Sequence, residues 1–133
     1  MGTVSALSAY LAQWRGRAFA PGHADCALFA AGWLALRGGP DLAAGWAGRY
    51  ATVEDGLALL AAEGFAGLPD LAADAGLTEL SGWMQARVGD IAFVAEGGHL
   101  CAGLVGGAHV HVLSPLGGLE VVPLDRAVRV FRP

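Results

Sequence analysis

The sequence predicts an α+β domain, with N-terminal helices packed on a C-terminal antiparallel sheet of about five short strands. Three observations predict it. Apolar residues recur at helical spacing through the first half of the chain. From Val88 onward, short β-type runs are separated by glycine turns. Helices come first and strands follow, an order that suits α+β and not alternating βαβ units. At 133 residues the chain suits a single domain, 1–133, around one hydrophobic core.

Each element has its own signal. Ser5 to Trp14 reads as a helix, with Val4, Leu7, Leu11 and Trp14 on one face. Gly16 to Ala24 holds Gly16, Pro21 and Gly22 and reads as a loop. Asp25 is an N-cap candidate for an apolar helix from Cys26 to Leu36. Gly38, Gly39 and Pro40 stop that helix. Thr52 opens another, with Asp55 three residues on and Leu57, Leu59 and Leu60 inside. A short helix follows Pro69, from Asp70 to Ala75. The strands are Ile91 to Val94, His99 to Val105, Ala108 to Leu113, Leu119 to Val122 and Val128 to Phe131, read as a meander. Gly106-Gly107 between two of these runs signals a hairpin.

Composition narrows the function classes. Charged residues make up 15% of the chain, against roughly 25% in an average soluble domain. Apolar residues are 55%, and 21 positions are glycine. The surface is therefore weakly charged and partly apolar, as in a subunit docked in an assembly, although an Ala- and Gly-rich genome produces the same composition. Net charge is −4 with no basic cluster, which argues against a nucleic-acid partner. No apolar run reaches the ~20 residues of a membrane span. The N-terminus lacks a basic segment leading into an apolar stretch, so no signal peptide is expected and synthesis is placed in the cytoplasm. Two cysteines are too few for a disulfide scaffold, and free thiols are the default.

Cys26 stands where a helix begins, and the partial positive charge there favours a thiolate nucleophile. A small buried hydrophobe is the competing reading for a cysteine in an Ala-rich helix. His99 and His111 lie on neighbouring strands of one hairpin, with position 99 opposite roughly 114. One imidazole would take the Cys26 proton while the second orients the first. The competing reading is two histidines on a solvent face. His109 shares the face of His111, and Cys101 shares the face of His99, so a register slip would exchange them. His99 is preferred over Cys101 because an imidazole is the better base. Asp25, His23 and His109 are the candidate substrate-binding groups beside these three. A rival arrangement is a zinc site drawn from His23, Cys26, His99, Cys101, His109 and His111, but no CxxC or HExxH spacing supports it. Asp90 reads as a turn residue, Trp33 and Trp46 as core or interface, and Arg49 and Tyr50 as a buried polar pair.

The stretch from Phe19 through Pro21, Gly22, Asp25 and Cys26 to Phe29 resembles the nucleophile motif of NlpC-type, papain-like cell-wall peptidases. Gly89-Asp90-Ile91 resembles that family's strand opening, and His99 to Val112 its catalytic hairpin. Gly39-Pro40-Asp41 with Gly48-Arg49-Tyr50-Ala51-Thr52 resembles a group of small phage and prophage relatives encoded among tail genes. Two departures stand out. Ala27-Leu28 replaces the usual Ser and Gly after the cysteine, and Leu100-Cys101 replaces Val-Gly after His99. Aligning on Ala102-Gly103-Leu104 instead puts Cys101 at the histidine position. The resemblance implies a papain-like fold and a tail-associated cysteine peptidase that cleaves peptidoglycan stem peptides. In it Cys26 attacks, His99 is the base, His111 orients His99, and the backbone N–H at Cys26 helps hold the oxyanion. It needs no metal or organic cofactor, is delivered by a tail particle, and has tail-hub or tail-tip proteins as partners. The alternative it implies is a degenerate structural component of the tail tip.

Overall fold

Asp25, at the head of the most apolar helix, decides where the N-terminal half packs. The computed structural model describes residues 2–133. Its helices are α1 (Thr3–Trp14), α2 (Cys26–Leu36), α3 (Ala43–Trp46), α4 (Val53–Ala62) and α5 (Leu68–Asp74). Asp25 caps α2 by accepting the Leu28 N–H at 2.9 Å, and Thr52 caps α4 by accepting the Asp55 N–H at 3.0 Å. Both caps are where the sequence puts them.

The strands are β1 (Thr78–Glu79), β2 (Ile91–Glu96), β3 (His99–Val105), β4 (His109–Ser114), β5 (Gly118–Pro123) and β6 (Ala127–Arg132). They form one antiparallel sheet in the order β1-β6-β2-β3-β4-β5. The expected meander holds from β2 to β5. The last strand instead returns to the far side of β2, which makes the sheet six-stranded. Burial explains this: Phe131 and Val130 are fully buried, and Phe131 meets Phe93 edge-on at 5.6 Å. An outer position beyond β5 would leave both in water.

Helices α1 and α2 lie on one sheet face. Leu7, Tyr10, Leu11 and Trp14 of α1 pack with Phe29 and Trp33 of α2 over Phe93, Leu104 and Phe131. Val4, expected on the buried face, is 67% exposed. Tyr10 takes its place in the stripe because its hydroxyl donates to the Phe29 carbonyl at 2.7 Å. The opposite sheet face buries Ala92, Val94, Val105, Val110 and Val130 beneath Leu80, Ala86 and Leu124. Asp90 does more than turn the chain. It accepts the Arg87 N–H at 2.7 Å and both donors of an Arg132 fork, at 3.1 and 2.9 Å.

Several boundaries move. Helix α5 starts at Leu68 and carries Pro69 within its first turn, where a missing N–H costs nothing. Helix α3 and strand β1 were not expected, being four and two residues long. Of the three leucines assigned to the inside of α4, only Leu60 is fully buried. Arg49 and Tyr50 do not pair with each other: Arg49 reaches Gly45 O and Glu63, and Tyr50 reaches Asp25. Among the described residues no helix is long and apolar enough to cross a membrane.

Candidate functional site

The hairpin register decides which groups meet. Gly106 N–H donates to His109 O at 2.8 Å, so the turn is centred on Gly107-Ala108, one residue later than expected. The ladder then pairs Gly103 with Val112, Leu104 with His111 and Val105 with Val110. This is two positions away from the expected pairing, so side chains keep their faces but change their opposites. His99 to Ala102 pair with β2 alone. Strands β3 and β4 part beyond Gly103, and the head of α2 fills the opening.

Cys26 is the first residue of α2, and its thiol faces Cys101. The two thiols lie close enough to act on each other, and the Ala102 backbone lies beside Cys26. His99 acts on Cys101 and not on Cys26. The neighbouring Cys101 thiol and burial push the Cys26 thiol well above its ordinary value. The Cys26 thiol, helped by the charge of His99, lowers Cys101 to about 7. Both directions favour Cys101 as the more acidic of the two thiols. The helix start that should activate Cys26 is outweighed by burial and by the neighbouring sulfur.

Asp25 is only 5% exposed and is held by three donors. These are the N–H of Leu28 and of Gly22, both at 2.9 Å, and the Tyr50 hydroxyl at 2.6 Å. Burial and the carboxylate it faces raise the Tyr50 phenol far above its usual range, so it stays a donor. Gly22 has φ +85°, and a Cβ there would overlap the Tyr50 carbonyl oxygen. The loop before α2, Asp25 and Tyr50 form one locked unit. Asp25 accordingly positions the head of α2 and has no free oxygen for a substrate.

A cavity of about 220 Å³ opens beside the thiols and runs beneath α3 and α4. Leu34, Trp46, Leu57, Leu60 and Leu71 line it, as do Cys26, Cys101 and His99. Among the described residues, the only charged ones on its wall are Asp25 and Glu96.

The other expected site residues lie elsewhere. His23 is exposed in the turn before α2, and His109 is exposed opposite Pro123. His111 lies opposite Leu104, five residues along β3 from His99, or roughly 16 Å at the strand rise. Its imidazole packs against Gly106, and burial lowers its affinity for a proton. His111 therefore does not orient His99, and neither His23 nor His109 borders the cavity. Of the six-residue zinc set, His23, His109 and His111 lie apart from Cys26, His99 and Cys101, and among the described residues no three His, Cys, Asp or Glu side chains form a metal-holding group. Tyr50 is the residue that sequence reasoning missed. No local signal marked it, because the contact with Asp25 bridges 25 positions.

Residues 3–133 match the family described as a domain of unknown function (DUF6950). No curated protein matches the chain.

Proposed function

Because the chain belongs to that family, whose description attaches no activity, its reading rests on the site, and we propose a catalytically degenerate papain-like domain that serves as a structural component of a phage or phage-like tail tip. The observation that carries the loss of catalysis is the thiol facing Cys26. A cysteine hydrolase needs an imidazole there, to accept the nucleophile's proton and hand it to the leaving amine. Here Cys101 fills that place, Cys26 is the less acidic thiol, and His111 is out of reach.

The cavity supports the same reading. A peptidoglycan stem carries carboxylates, and the cavity wall offers no arginine. An apolar cleft under two loosely held helices suits an apolar side chain of a docking partner better. The tail assignment rests on the resemblance of the Gly39–Thr52 stretch to small tail-encoded proteins, and a charged content of 15% suits a subunit covered by neighbours. Particle-bound location and tail-hub contacts follow from that assignment.

One observation favours a second reading, a peptidoglycan-cleaving cysteine peptidase. His99 lines the same cavity as Cys26 and would become its base if it turned from Cys101 to Cys26. Digestion of purified peptidoglycan by wild type and Cys26→Ala, with fragments read by mass spectrometry, separates the two. No stem fragments from either protein is the expected result. Fragments from wild type alone would establish the peptidase.

A further inference from the structure

We propose that Cys26 and Cys101 form a redox-active dithiol that closes reversibly into a disulfide joining the head of α2 to β3. Both cysteines are free and half-buried, they line the same cavity, and they lie close enough to act on each other. Segment 99–102 is laddered to β2 alone and has no β4 partner, so its edge toward α2 is open and closure leaves the β3–β4 ladder untouched. Asp25, the carboxylate that acts on Cys26, is itself fixed by three donors.

The two thiols have different parts in the exchange. Cys101 is the more acidic and is the thiol on which His99 acts, while Cys26 stands at the helix head. With a small disulfide such as glutathione disulfide as oxidant, the Cys101 thiolate attacks one glutathione sulfur. A mixed disulfide forms, and one glutathione thiolate leaves and takes up the proton lost by Cys101. Cys26 then gives up its proton and attacks the Cys101 sulfur. The second glutathione leaves carrying that proton. Two protein thiols are oxidised, and one disulfide is reduced to two thiols. The link replaces the thiol pair and ties α2 to β3 across the cavity wall, which does not depend on the tail assignment.

The test uses the full chain with glutathione disulfide, acid quench, alkylation of remaining thiols and tryptic mapping. Cleavage at arginine puts Cys26 in peptide 18–37 and Cys101 in peptide 88–126. The expected product is a monomer lighter by two hydrogens, with those peptides linked and both thiols closed to alkylation. Cys26→Ser should stop at a stable glutathione adduct on Cys101. Decay of that adduct in wild type should be about tenfold or more faster folded than in urea, because the fold holds the thiols at high effective concentration. Three results would overturn the proposal: a lasting adduct on Cys101 in folded wild type with Cys26 still open to alkylation, no reaction at either thiol, or equal closure rates folded and unfolded.

Discussion

Asp25 and Tyr50 carry more stability than their exposure suggests. The carboxylate accepts three hydrogen bonds while 5% exposed, so losing a donor leaves one of its buried oxygens under-satisfied. Tyr50→Phe should cost about 1.5–3 kcal/mol in urea unfolding, the range for a hydrogen bond to a charged group. Glu63→Ala is the contrast. Its pair with Arg49 is 3.0 Å long but roughly half exposed on both sides, so the loss should stay below about 1 kcal/mol. The cap role of Asp25 was legible, because an acidic residue before an apolar run has one common use. The Tyr50 contact was not, since it bridges 25 positions and nothing in local pattern reports such a bond. Cys101 was legible only as an alternative: strand alternation puts it on the same side as His99 and cannot say which of the two meets a helix start.

At the level of elements, the turn before α2 and the opening of the hairpin place the site. Gly22→Ala meets both a left-handed φ and the Tyr50 carbonyl, and should cost about 2 kcal/mol or more. Gly16→Ala has a similar φ of +80° with open space around it, and should cost about 1 kcal/mol, the backbone penalty alone. Urea midpoints of the two variants check the difference. Helices α1, α2 and α4 and strands β2 to β6 were readable to within two residues, because caps, glycines and apolar spacing all act locally. The hairpin register was not, since Gly106-Gly107 and Gly107-Ala108 are both acceptable turns. That single residue moved the partner of His111 from the neighbourhood of His99 to Leu104.

Across the whole molecule, burial is uneven. The sheet centre, α1 and α2 hold most of the buried side chains, whereas α3 has none and α4 only Leu60. Residues 43–62 roof the cavity with few apolar anchors. Their amides should exchange with deuterium at least about 100-fold faster than those of β2 and β3, as local opening of weakly packed segments requires. The place of β6 beside β2 was illegible for a related reason. Strand order follows from which apolar strands most need the centre, and that is settled by all strands together. The α+β class survived because it depends only on the order of helices and strands along the chain.

Site-resolved alkylation with iodoacetamide, measured against pH by mass spectrometry, decides whether Cys26 or Cys101 is the activated thiol. The Cys101 thiol is lowered to about 7, so its labelling should rise through neutral pH, while Cys26, held well above its ordinary value, lags far behind. Faster labelling of Cys26, already present below pH 7, would show a thiolate paired with an imidazole and would contradict the account.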